Sequence, residues 1–368
     1  SVLGQIFWLA GLFALVIALF GRGRSALAAA VGAIILMSDF GLGVFRYSEI
    51  FVTPRIFAEA TVMLALACAL RRRPVLSVVV ALAAIPIHPL IALPGVLVVL
   101  LMAVPITLRT VAAAGVGLAV FAGLALFGID PFSRLLVRLD PEWYGLVHER
   151  IPLAFVLQWG WKGVFLTAVP ASLLALVCRA ASVQHRRLIL SVVAVAGRGV
   201  LVTAVFGDLP AHLLVLNMQW WRWLWLVTLI ANVFAAQAVL SLPQGSYARV
   251  FLIVALVANV CENVNGWFPF SSATLALCAL AAFAIESRSN RPLPFYLRLP
   301  LALFALGAVL FLLTEFTFLL PWGTEPFAAL SRGALILSVF LAIGLLLVRK
   351  AWQGRRRGIA MVLSAVPF

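Results

Sequence analysis

Charge is scarce in this chain. Only 11% of its 368 residues are charged and just 12 are acidic, against 65% apolar residues and a mean hydropathy of +1.15. A soluble domain carries about 25% charged and about 45–50% apolar residues, so a water-soluble globular domain is excluded. Regular alternation of apolar and polar residues is missing as well. Runs such as VVVALAAI and LALFALGAVLFLL rule out a membrane β-barrel. The four cysteines, Cys68, Cys178, Cys261 and Cys278, show no CxxC or CxxH spacing, which leaves them as packing residues without a disulfide framework or a metal site. There is no GxxxxGK[ST] loop, no HExxH, no GxSxG and no CxxCH, and the short basic loops leave no room for a nucleotide-binding fold. Internal repeats, low-complexity tracts and domain-dividing linkers are absent too.

What remains is a polytopic, all-α transmembrane helix bundle. Apolar runs between charged punctuation predict thirteen spans, at 2–20, 25–37, 56–70, 75–87, 90–106, 111–128, 160–178, 188–206, 222–241, 250–264, 270–285, 299–320 and 331–348. Several are short or broken, notably around Pro86, His88, Pro89 and Pro94. The whole chain, 1–368, reads as one transmembrane domain with external loops at 38–55, 129–159 and 207–221. In the second loop, Leu135, Leu136, Leu139, Trp143 and Leu146 alternate with charged residues, which predicts an amphipathic helix lying in the membrane surface.

If successive connections alternate sides, 18 of the 27 basic residues fall on one side, with Glu286 the one acidic residue among them. They include Arg22, Arg24, Arg71 to Arg73, Arg109, Arg179, Arg186, Arg187 and Arg249. A miscounted span would scramble that pattern. By the positive-inside rule this side is cytoplasmic, so the net charge of +15 is topogenic and no nucleic-acid partner is expected. The N-terminus then lies outside. Since the first residue is Ser, an upstream span and its external loop are expected to be missing from the chain.

An ionisable group at the centre of a membrane helix costs at least about 2.5 kcal/mol on insertion scales. Counting from the basic ends at a rise of about 1.5 Å per residue, Arg198, Glu59, Glu262, His88 and Glu315 lie roughly 16 to 25 Å deep, in one layer toward the outer face. Arg198, between Gly197 and Gly199, is either a bidentate anion ligand or half of an ion pair with Glu262 or Glu315. His88, flanked by prolines, either hydrogen-bonds a phosphate or hydroxyl or is a satisfied structural histidine.

Asp39, Arg46, Tyr47, Glu49, Arg55 and Glu59 crowd residues 38–59. A carboxylate there would serve as general base or metal ligand beside anion-binding arginines, or the segment is a solvated loop with one Arg55–Glu59 pair. Asp208, His212, Gln219 and Arg222 sit among Trp220, Trp221, Trp223 and Trp225, which mark an aromatic belt or a sugar-stacking surface.

Residues 51–101, which include FVTPRIFAEA, the basic run RRR and the IPIHPLIALPG break, resemble the core of bacterial polytopic glycosyltransferases of the GT-C class. NMQWWRWLWL, residues 217–226, resembles the start of a later span in the same proteins. The resemblance covers about one sixth of the chain. It implies inverting transfer of a sugar from a polyprenyl-phosphate donor at the outer leaflet of the bacterial cytoplasmic (inner) membrane. It also implies a catalytic carboxylate in the first external loop and a further one in the second, to which 38–55 corresponds. On this reading Glu49, Asp39 and Glu59 are the catalytic candidates. Arg46, Arg55, His88, Arg198, His212, Gln219, Arg222 and Glu262 are the substrate-binding ones. No metal site is assigned, and a divalent cation stays open as cofactor. Membrane lipid, a polyprenyl-phosphate-linked sugar and other membrane proteins are the expected partners. The alternatives are a secondary transporter or lipid-linked glycan flippase, marked by buried charges and broken helices, and a non-catalytic subunit of a membrane complex.

Overall fold

The computed structural model describes residues 2–36, 39–40, 45–46, 53–104, 107–130, 132–265 and 270–289. Apolar runs become helices, and prolines set where several begin. In the first part of the chain these are α1 (Val2–Phe20), α2 (Arg24–Ile35), α3 (Pro54–Leu70), α4 (Pro74–Ala83), α5 (Pro89–Ala103) and α6 (Leu108–Leu126). They are followed by α7 (Pro141–Arg150), α8 (Gly160–Ala180), α9 (Val183–Val202), α10 (Leu213–Met218), α11 (Leu224–Ser241), α12 (Tyr247–Asn265) and α13 (Phe270–Ser289). Pro54, Pro74, Pro89 and Pro141 each take a first helical position, where the missing N–H is not needed. Eleven of the thirteen expected runs are helical, and those at 299–320 and 331–348 lie outside the described residues.

The chain is thus an all-helical membrane protein apart from one short ladder, in which β1 (Asp39–Phe40) pairs antiparallel with β2 (Phe45–Arg46) and sets Asp39 opposite Arg46. Among the described residues, five stretches are long and apolar enough to cross a membrane: Val2–Phe20, Leu108–Leu126, Val183–Asp208, Leu213–Ser241 and Phe270–Ser287. The expectation of about thirteen crossings is therefore not met by length. α2, α4 and α5 have 12, 10 and 15 residues. They rise only about 18, 15 and 22 Å, against a hydrocarbon core of about 30 Å.

The helices group into two compact units, Ser1–Ser241 and Leu242–Phe368. In the first, α3 is the most enclosed helix, packed against α1, α4 and α5. Small residues let the backbones close up. A Cβ on Gly11 of α1 would stand 2.9 Å from the Ala60 carbonyl oxygen, and one on Gly95 of α5 would collide with Val62. Ser77 on α4 donates across to the Ala65 carbonyl at 2.7 Å, and Asn232 on α11 donates to the Leu36 carbonyl at the end of α2 at 2.9 Å.

The first turn of α9 ties this unit together at one end. Four successive side chains take up orphan carbonyls at the C-termini of four helices. Gln184 donates to Leu70 of α3 at 2.5 Å, and His185 Nε2 to Leu19 of α1 at 3.2 Å. Arg186 donates to Cys178 and Arg179 of α8 at 3.1 and 3.4 Å. Arg187 donates to Leu101 of α5 and to Val104 just beyond it at 2.9–3.2 Å. α1, α3, α5 and α8 therefore all finish at the end where α9 begins.

The surface helix expected over 129–152 is not continuous. Asp140, ahead of Pro141, is held extended and caps α7 through the Trp143 amide at 2.9 Å, so a ten-residue helix starts afresh there after a 3₁₀ turn at Phe132–Leu135. This segment folds against residues 206–216. The Leu139 amide donates to the Ala211 carbonyl and the Leu213 amide to the Val137 carbonyl, at 3.0 and 2.9 Å. Ala154, Phe155, Ala211 and Leu216 form a small core over which Leu139, Tyr144 and Val147 close. The second and third predicted external loops thus make one cap.

In the second unit, α12 and α13 pair. Glu286 of α13 accepts from the Tyr247 amide at 3.1 Å.

Candidate functional site

α3, α5 and α9 fix the site from the end away from the carbonyl-capping turn. Arg55 and Glu59 occupy the first two turns of α3, one turn apart, and both are buried. The Glu59 carboxylate accepts from the indole N–H of Trp8 on α1 at 2.8 Å, while its other oxygen faces the Arg55 Nε at 3.8 Å. His88 stands immediately before α5, in the break that Pro86 and Pro89 impose, with its backbone extended. Its ring is half-buried, and Nδ1 is enclosed without a hydrogen-bond partner among the described residues. Burial, and then the positive charges of Arg222 and Arg55, hold the His88 imidazole below its ordinary range. Arg222 and Arg55 also act on each other's charge.

Arg222 reaches this group from a 3₁₀ turn, Trp220–Trp223, between α10 and α11. Gln219 sets up the turn by adopting the left-handed region, with φ of 43°, and its carbonyl accepts from the Arg222 amide at 2.8 Å. The turn rests on α9. Gly199 has no room for a side chain against the Trp220 carbonyl and the Trp223 ring. Trp221 packs edge-on against Trp159 at 5.5 Å, and the Arg222 guanidinium lies 5.9 Å from the Trp221 ring centroid. Arg55, Glu59, His88 and Arg222, from three separate chain segments, therefore form one polar group, with Trp8 added from a fourth.

The other predicted residues lie elsewhere. Arg198 is exposed on α9. The packed stripe Leu188, Val192, Val195 and Gly199 leaves it off the buried face, so the expected central role in the layer does not follow from its placement. His212 belongs to the cap, where its amide donates to the Phe206 carbonyl at 3.0 Å and its Nδ1 has no hydrogen-bond partner among the described residues. Glu262 is in the second unit. There its buried carboxylate accepts from the Ser271 amide at 2.8 Å and the Ser272 amide at 3.3 Å, in the first turn of α13. Asp208 does the same in the cap for the Leu157 amide at 2.5 Å. Asp39 and Arg46 lie in the β-ladder, while Glu49 and Glu315 lie outside the described residues. Among the described residues, no three His, Cys, Asp or Glu side chains gather as a metal site.

Two contributions went unread in the sequence. Trp8 sits in a helix that is apolar but for Gln5, and its only signal is that a buried indole N–H needs an acceptor. The QHRR run at 184–187 reads as topogenic charge, although three of its members are helix caps by residue type. Compared with protein-family models, with curated proteins and with solved structures, the chain finds no match.

Proposed function

We propose that this chain is an integral membrane glycosyltransferase of the bacterial inner membrane, in which Arg55, His88 and Arg222 grip the phosphate of a polyprenyl-phosphate sugar donor. The observation that carries the proposal is that Arg55, His88 and Arg222 come from three separate segments into one group. Arg55 and Arg222 act electrostatically on each other and on the His88 imidazole, which places the three side chains within reach of one anion. Cations held this close inside an apolar bundle repel each other, and an anion placed among them relieves that repulsion. A guanidinium fork also matches phosphate oxygens in pairs.

In the reaction, the acceptor's hydroxyl oxygen attacks the anomeric carbon and its proton passes to a carboxylate. The bond from that carbon to the phosphate oxygen breaks, and the electron pair leaves with the lipid phosphate, whose charge the arginines stabilise. Glu59 is the carboxylate inside the group. Glu49 and Asp39 are the alternatives that the GT-C resemblance supplies. The full topology belongs to the same proposal: thirteen crossings, several short or broken, with the basic loops cytoplasmic. The meeting of the α1, α3, α5 and α8 C-termini at the arginine-rich end supports the alternation that this topology requires.

The test is sugar transfer by the reconstituted chain from a panel of radiolabelled polyprenyl-phosphate sugars. Arg55→Gln and Arg222→Gln are expected to lower transfer about tenfold or more, as the loss of a charged hydrogen bond predicts. Glu59→Gln is expected to abolish it, with all three variants folded. Undiminished transfer by the variants, or an inert but folded wild type across the panel, contradicts the proposal. A non-catalytic subunit is the second reading. It draws support from Glu262 and Asp208, whose carboxylates are taken up by backbone amides.

A further inference from the structure

We propose that a pocket at the opposite, arginine-rich end binds a phosphoester anion through Arg72 and Arg187, with the headgroup of an anionic membrane lipid as its source. The pocket has a volume of about 440 Å³, and its walls come from the α3–α4 turn, the end of α5 and the first turn of α9. Ala69, Met102 and Val183 make its walls apolar, while Arg72, Gln184 and Arg187 supply the polar groups, and none of the described lining residues is acidic.

Three observations point to a ligand. Arg187 is fixed in place because its Nε and Nη2 donate to the Leu101 and Val104 carbonyls, which leaves Nη1 without a hydrogen bond among the described residues. Arg72 makes no side-chain hydrogen bond or ion pair among the described residues. Arg72 also occupies the left-handed position that closes α3, with φ of 58°. Its amide and that of Arg73 return to the Ala69 and Cys68 carbonyls at 3.0 Å each, the pattern of a Schellman turn. Glycine ordinarily fills that position, and a side chain there is strained. Strain held at a cationic pocket wall is the kind that a binding role retains.

The apolar walls and the exposed Val75, Val79 and Leu82 along α4 suit acyl chains running down from the headgroup. Basic pockets between membrane helices hold anionic lipid headgroups in this way. The site is independent of the Arg55–His88–Arg222 group.

The experiment uses the full chain in phosphatidylcholine nanodiscs, with phosphatidylglycerol titrated in. Lipid retention is read by native mass spectrometry and stability by thermal unfolding. Phosphatidylglycerol is expected to bind and to raise Tm. Arg72→Gly removes the strain as well as the cation. It should keep or raise Tm in plain phosphatidylcholine while weakening phosphatidylglycerol about fivefold, the effect of one cation near a membrane surface. Adding Arg187→Gln should weaken binding further, and Arg24→Gln, outside the pocket, should change nothing. If glycerol 3-phosphate in plain phosphatidylcholine gives the same Arg72-dependent stabilisation, the phosphoester site stands and its source is soluble. Unchanged phosphatidylglycerol binding by Arg72→Gly, or an equal loss in Arg24→Gln, overturns the proposal.

Discussion

Arg55 and Glu59 are one helical turn apart, yet what distinguishes them from an ordinary surface pair is what surrounds them: Trp8 from α1, His88 ahead of α5 and Arg222 from the tryptophan turn. His88 offers a pH test of that crowding. Its folded-state pKa lies below the ordinary 6.5, through burial first and neighbouring cations second. The neutral ring therefore contributes stability that is complete above the ordinary value and is lost as pH falls below it. Between about pH 7.5 and about pH 5.5 the wild-type Tm should drop more than that of His88→Gln. Equal drops would contradict the enclosed, cation-flanked setting of the ring. Glu262 makes the opposite case, since its two amide partners give it a capping role. Glu262→Ala should lower stability by about 1 kcal/mol, the usual price of a lost cap, and leave lipid-phosphate binding unchanged. From the sequence Glu59 and Glu262 look alike, each an ionisable group in an apolar run. Only the partners separate them, and those lie 51 positions away for Glu59 and 9 to 10 away for Glu262.

Among the elements, α3 sets the geometry because α1 and α5 press on it through Gly11 and Gly95. Gly11→Ala places a methyl group against the Ala60 backbone and should destabilise the protein by about 1–3 kcal/mol, the range for overpacking. Gly32→Ala on α2 meets nothing within 4 Å and should be neutral or slightly stabilising. Thermal unfolding of the two variants side by side checks this. A Gly11→Ala protein as stable as the wild type would mean that α1 and α3 are not in close contact. Helix positions were largely legible, since apolar runs, initiating prolines and the Pro86–Pro89 break carry strong local signals. The broken surface helix was less so. Its apolar spacing predicts continuity, and the Asp140–Pro141 step that interrupts it carries the decisive signal. Arg198 stood out because it is flanked by glycines, while the period of α9's packed face is what places it outside.

At the scale of the molecule, the chain is an all-helical membrane protein whose first unit has two chemically different ends. At one end, Gln184 to Arg187 close the C-termini of four helices beside a basic pocket. At the other, Arg55, His88 and Arg222 gather beside the buried Glu59, with Trp221 packed on Trp159 next to Arg222. The sorting of arginines along the sequence anticipated which ends belong together, because positive charge follows topology. It held no information on which side chains cap which helix, since that depends on how distant turns meet in space. Polyprenyl-phosphate binding to the reconstituted chain tests the central claim most directly, with wild type compared against the Arg55→Gln/Arg222→Gln double variant at matched stability. A loss of about tenfold or more in affinity is predicted, as for removal of charged hydrogen bonds to a phosphate. Equal affinity in the two proteins would contradict it.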